Sequence, residues 1–144
     1  MGRWLDALGG AAPLTQAIGR LGCLSAGCCY GRPTGSWLGM VLRDVHGVVA
    51  RRYPTQLMAS AADLGILAAV LLAERRLARR GRSVPGLLFA LYLGLYGAKR
   101  FLLEFLRATA SPLVAGLTWA QIAALAFVLA AASGAALALR RARA

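Results

Sequence analysis

Charge is scarce in this sequence. Of its 144 residues 15% are charged, against about 25% in an ordinary soluble domain. Acids are scarcer still: Asp6, Asp44, Asp63, Glu74 and Glu104 are the whole complement. There is one histidine, His46, and one lysine, Lys99. Neither an internal repeat nor a low-complexity linker is present. These shortages exclude a soluble fold, because so few charges cannot cover the apolar remainder. Hydrophobic residues make up 59% of the chain, against roughly 45–50% in ordinary domains even with glycine counted. Disordered, collagen-like and disulfide-scaffold classes fall by the same composition. All but Lys99 of the 17 basic residues are arginine, and abundant Ala and Gly beside them point to codon bias rather than selection for phosphate binding.

What is present is four apolar segments of membrane length, each near the roughly 17–25 residues that a span requires. They run at about 7–26, 57–73, 86–106 and 117–139. The last is the cleanest, with only Gln121 strongly polar inside it. The third is apolar to Gly97 and then carries Lys99, Arg100 and Glu104. The second is interrupted by Asp63, and the first by Pro13, Thr15, Gln16 and Arg20. The expected fold is all-α: a single polytopic transmembrane domain of about four helices over residues 1–144. An external loop, 27–55, has β-forming residues on either side of Asp44-Val45-His46-Gly47, the pattern of a short hairpin.

The net charge of +12 is explained by where the charges lie. Arg3, the run Arg75, Arg76, Arg79, Arg80 and Arg82, and the tail Arg140, Arg141 and Arg143 bracket the segments on one side. Arg32, Arg43, Arg51, Arg52 and Arg107 lie on the other. The positive-inside rule puts the richer side, with both termini, in the cytoplasm. Nucleic-acid binding needs a basic face on a soluble module, and no such face exists here. Arg20 sits where the apolar core of a secretory signal would be, so a cleavable leader is not expected. Ser25-Ala26-Gly27-Cys28 resembles a lipoprotein cleavage box, but lipoproteins rarely continue into three further spans.

Ionisable groups inside spans cost a few kcal/mol or more unless paired or hydrated, which makes them functional markers. With a rise of about 1.5 Å per residue, Arg20 lies roughly 20 Å above the cytoplasmic start of its segment and Arg100 roughly 21 Å above its own. Asp63 descends roughly 9 Å from the external side. Three spans thus carry a charge at one level in the outer half of the bilayer. Two arginines at that level suit an anionic phosphate, which guanidinium binds through two parallel hydrogen bonds. The anion native to that depth is a phospholipid head group. Glu104 stands one helical turn from Arg100, while Lys99 and Arg107 read as interface residues whose charges snorkel outward. A small proton-coupled transporter using Asp63 or Glu104 is the competing class, and it requires an unpaired acid facing a cavity.

Cys23, Cys28 and Cys29 cannot all pair within the chain. Adjacent Cys28 and Cys29 have poor geometry for their own disulfide, whereas Cys23 can reach Cys28 if the helix ends between them. A metal site needs further ligands, and His46 lies seventeen residues on, so neither metal nor cofactor is expected. The cysteines read as small structural residues.

Three stretches, GRLGCLSAGCCYGRPT (Gly19–Thr34), RRYPTQL (Arg51–Leu57) and LYGAKRFLLEFLR (Leu95–Arg107), occur in an order that resembles the prolipoprotein diacylglyceryl transferases of bacteria. LTWAQI before the last segment is similar too. The resemblance implies a multi-pass enzyme of the inner membrane, with its active site toward the outer leaflet. Such an enzyme moves diacylglycerol from phosphatidylglycerol to the cysteine thiol of a lipobox-containing prolipoprotein, releasing glycerol phosphate. The family signature G-R-x-G-N-x-x-N-x-E-x-x-G is met at Gly19, Arg20, Gly22 and Gly31. Its R-F-x-x-E-F-x-R segment is met at Arg100, Glu104 and Arg107. H-P-[ST]-Q-L-Y-E is met from Pro54 to Leu57. By resemblance Arg20, Arg100 and Glu104 are catalytic, and Gly22, Gly31, Gln56 and Arg107 join the two arginines in binding substrate. The departures are specific. Cys23, Ala26 and Cys28 replace the signature Asn, Asn and Glu; Tyr53 replaces His; Met58 and Ala59 replace Tyr and Glu. Family members have further spans before this region with a His-Gly-Gly motif, so an N-terminal half supplied in trans is an expected partner. A non-catalytic lipid-binding or partner protein derived from the family is the other expectation.

Overall fold

Every apolar segment folds as a helix. The computed structural model describes residues 2–108 and 116–142. In order along the chain these form α1 (Gly2–Ser25), β1 (Met40–Arg43), β2 (Val49–Arg52), α2 (Thr55–Arg79), α3 (Leu87–Glu104) and α4 (Trp119–Arg141). The expected hairpin is present, with β1 and β2 antiparallel and Met40 opposite Arg52. It is shorter than the flanking β-like residues suggested, because Trp37 and Leu38 lie in a turn before β1. Asp44 fixes its turn: Oδ1 accepts from the backbone N–H groups of His46 and Val48, both at 2.9 Å. Arg52 closes the other side on Oδ2 at 3.2 Å.

Helices α1, α2 and α3 each contact the other two, whereas α4 packs on α3 alone. Helix α1 runs antiparallel to α2 and parallel to α3. Asp6 near the start of α1 caps the start of α3, accepting from Gly86 N at 2.8 Å and Phe89 N at 3.0 Å. These are two of the donors a helix start leaves without intrahelical partners, and here another helix supplies the carboxylate. Gly9 permits the approach, since a Cβ there would lie 3.1 Å from Phe89 Cα. Between α3 and α4 the same device is tighter: a Cβ on Gly97 would meet the Ala124 carbonyl at 2.7 Å. Small residues at a crossing let backbones pack closely where lipid offers no hydrophobic drive. Pro13 is buried within α1 and does not end it.

The apolar core is small. Ile66, Val70, Leu88 and Tyr92 meet where α2 faces α3. Asp63, Lys99, Ser60 and Gln121 are also buried, while Ile18, Leu102 and Leu129 are more than 60% exposed. That is the reverse of a water-soluble bundle, in which charges face out and leucines face in. Thr55–Arg79 and Trp119–Arg141 are long and apolar enough to cross a membrane; α3 carries too many charges to qualify by composition.

Candidate active site

The end of the bundle formed by the C-termini of α1 and α3 and the N-termini of α2 and α4 carries the hairpin and a narrow cleft. Arg20 from α1, Lys99 and Arg100 from α3, and Arg107 just beyond it line this cleft. Thr55, Gln56 and Ala59 from the first turns of α2 form its floor, with Cys29 and Leu103 at the sides. The two arginines inferred to share a depth therefore share a cleft. Gln56 and Arg107 line the same cleft.

The cleft is charge-biased by construction. Lys99 donates to Asp63 Oδ1, with both side chains buried. Arg100 pairs with Glu104 at 3.1 Å, and Arg107 Nε approaches the same carboxylate oxygen at 4.0 Å. Four cations thus face two carboxylates, and Arg20 has no ion-pair partner among the described residues. Two positive charges remain for an anion. Lys99 does not snorkel: its ammonium points inward and also lies 4.6 Å from the Tyr96 ring centre. Among the described residues both acids near the cleft are ion-paired, which counts against the unpaired carboxylate of a proton-coupled transporter.

Glu104 is held from a direction the sequence reading missed. Thr118 Oγ1 donates to Glu104 Oε1 at 3.3 Å while accepting from Gln121 N at 3.2 Å. The Gln121 side chain accepts from Thr118 N at 3.0 Å, completing a capping box. The T-x-x-Q spacing in LTWAQI is a legible signal for that cap, though not for its bond to Glu104. Thr55 was missed as well. Its hydroxyl donates to the Cys29 carbonyl, and Gln56 Nε2 donates to the Cys28 carbonyl, both at 2.7 Å. The start of α2 thereby clamps the cysteine loop, and Gln56 Oε1 stays buried without a partner.

Gly22 and Gly31 do not line the cleft. Gly22 faces open space on α1. Gly31 sits in a backbone strap, donating from N to the Tyr53 carbonyl at 2.9 Å and bridging Arg107. Any Cβ there would lie 2.6 Å from Tyr53 Cβ and 2.7 Å from its carbonyl oxygen. The close approach of the two backbones requires glycine here and seats the Arg107 segment.

The cysteines depart furthest from expectation. Helix α1 ends at Ser25, between Cys23 and Cys28, yet all three thiols are free. Their Sγ atoms lie within 4.8 Å of one another. Cys29 adopts a left-handed φ of 61°, a conformation uncommon outside glycine. Burial pushes the Cys28 thiol up to about 11, helped by its hydrogen bonds with Cys29 and Cys23. Burial acts on Cys29 in the same sense, but hydrogen bonds from Cys28 and the Arg107 guanidinium outweigh it and hold that thiol below its ordinary value.

Residues 1–137 match the family described as prolipoprotein diacylglyceryl transferase. The chain belongs to this family. Among curated relatives, the phosphatidylglycerol–prolipoprotein diacylglyceryl transferase of Symbiobacterium thermophilum is 36% identical over 129 residues, which is 85% of this chain and 46% of the relative. The enzyme of the same name from Clostridium tetani is 34% identical over 107 residues, 73% of this chain and 41% of the relative. That of Chlorobaculum tepidum is 39% identical over 97 residues, 67% and 32%. The chain thus spans less than half the length of these family members. The residues that line the arginine cleft all fall within the 1–137 that match the family.

Proposed function

We propose that this chain carries the phosphate-binding half of a diacylglyceryl transferase, acting on phosphatidylglycerol and a lipobox cysteine. The observation that carries the reading is the convergence of Arg20, Arg100 and Arg107 on one cleft with two uncompensated positive charges. Arg20 and Arg100 grip the lipid phosphate and stabilise the charge that grows on departing glycerol phosphate, which a fixed guanidinium does without reorganising. Glu104 orients Arg100 and Arg107: its Oε1 accepts from Thr118 and its Oε2 lies 3.1 Å from Arg100 Nη1 and 4.0 Å from Arg107 Nε. Gln56 Oε1, buried and unpartnered, accepts a hydrogen bond from a glycerol hydroxyl. The outward-facing leucines and the basic base of the bundle support four spans in the inner membrane. Both termini of the chain lie in the cytoplasm and the cleft faces the outer leaflet.

The test is phosphatidylglycerol-dependent labelling of a lipobox peptide by the purified chain, alone and with the N-terminal half of a longer relative added. Labelling by wild type and at least a tenfold loss in Arg100→Ala supports the reading; no labelling in either arrangement sinks it. One observation favours a second reading, a lipid-binding module without catalysis: both carboxylates near the cleft are committed to ion pairs, which leaves no evident acceptor for the thiol proton. Retention of phosphatidylglycerol over phosphatidylcholine in native mass spectrometry, with no labelling in either arrangement, marks that case.

A further inference from the structure

We infer that Cys23, Cys28 and Cys29 form a three-thiolate site for a thiophilic d10 cation such as Zn2+, with a fourth coordination position open to the acceptor thiol. The thiol-activating part rests on the transferase reading; the metal site itself does not. Three sulfurs within 4.8 Å of one another need to close only slightly, because zinc–sulfur bonds of about 2.3 Å put ligand sulfurs about 4 Å apart. The loop is already shaped for it. Thr55 and Gln56 hold the carbonyls of Cys29 and Cys28, the Cys28 N–H returns to the Cys23 carbonyl at 3.1 Å, and Cys29 takes its left-handed turn. All three thiols are half-buried and outside any disulfide. Soft thiolates select Zn2+ or Cu+ over harder cations. The linear spacing hid the site, since it lacks the second ligand pair of a zinc finger; the third sulfur comes from the last turn of α1.

The location gives the ion work to do. Cys29 lines the arginine cleft, so an ion on these sulfurs sits in its wall. Three protein ligands leave one tetrahedral position for an outside donor, the arrangement of a catalytic rather than a structural zinc site. A lipobox thiol entering there loses its proton to water as the metal–sulfur bond forms, since a coordinating thiol is deprotonated outright. The sulfur then forms a bond to the glycerol carbon as that carbon's bond to the phosphate oxygen breaks. The electron pair leaves on glycerol phosphate and the neutral thioether dissociates from the metal. This supplies the thiolate without calling on a carboxylate base.

The experiment uses the reduced, metal-stripped chain in detergent, titrated with Cd2+ and with Co2+. The expected result is a sulfur-to-metal charge-transfer band saturating at one ion per chain and displaced by Zn2+. It is lost in Cys23→Ser/Cys28→Ser/Cys29→Ser, whose fold is checked by circular dichroism. Adding a lipobox peptide to the Co2+ form shifts the visible bands toward four-sulfur coordination, and a Cys→Ser peptide does not. No band, or an equal band in the triple variant, overturns the metal site. A normal band that the cysteine peptide leaves unmoved overturns the open position. Because no step measures lipid transfer, failure here is distinguishable from failure of the transferase reading.

Discussion

Thr118, the N-cap of α4, donates its hydroxyl hydrogen to Glu104 at the end of α3, 3.3 Å away. One hydroxyl therefore ties the start of the peripheral helix to the carboxylate that orients Arg100. Thr118→Ala removes the cap, which costs about 1 kcal/mol, and frees Glu104. We expect a lower apparent Tm in detergent and a several-fold weaker retention of phosphatidylglycerol, with Thr118→Ser restoring both. A Thr118→Ala protein matching wild type in lipid retention would show that Glu104 is held by its arginines alone.

Lys99 and Asp63 form a buried pair in which breaking one side strands the other. Removing one partner of such a pair costs about 3–5 kcal/mol, whereas replacing both by apolar residues is often neutral. Asp63→Ala and Lys99→Ala should each lower the unfolding temperature markedly, and Lys99→Met/Asp63→Leu should recover most of the loss. Equal stability of the single and double variants would contradict the pairing.

Gly31 and Gly22 both match the family signature yet predict opposite outcomes. Gly31→Ala forces a Cβ into the Tyr53 backbone, so the strap should open and trypsin should cut faster at Arg32 and Arg107. Gly22→Ala meets nothing and replaces a helical glycine, a change that stabilises by roughly 0.5–1 kcal/mol. Thermal unfolding and limited proteolysis of the two variants separate a packing glycine from an incidental one.

The hairpin turn should be acid-sensitive. Burial would raise Asp44, but the N–H groups of Val48 and His46 and the charge of Arg52 overcome it and lower its pKa from the ordinary 3.8. A lowered folded-state value means that the folded state binds its proton less readily than the unfolded chain. The stabilisation is thus complete above about pH 4 and is lost as pH falls through the folded pKa. Protection of the His46 and Val48 amides, taken relative to the intrinsic exchange rate at each pH, should fall in that window. In Asp44→Asn the two amides should show no such step.

Helix positions, the hairpin and the meeting of Arg20 with Arg100 were legible in the sequence, because apolar runs and helical rise fix depth without knowledge of packing. Lys99 was misjudged for the same reason: depth alone does not say which face of α3 turns toward Asp63. The cysteine cluster was hidden because α1 stops between Cys23 and Cys28 and the chain folds back. That reversal depends on Thr55 and Gln56, residues nearly thirty positions away. Gly31 matched a signature whose physical reason, passage of one backbone against another, only the strap reveals.

The Asp6 cap on α3 also has a mechanical reading. It clasps two parallel helices at the end far from the cleft, and Gly9 tightens the clasp. Fourteen residues of α1, about 21 Å at helical rise, separate Asp6 from Arg20. A tilt of α1 by about 5° at that end would displace Arg20 by about 2 Å over this length. Ser60 holds the Ala17 carbonyl at 3.0 Å and Gln16 holds the Tyr92 hydroxyl at 2.9 Å, so α1 is tied at both ends and the height of Arg20 beside α3 is fixed by contacts far from the cleft as well as near it.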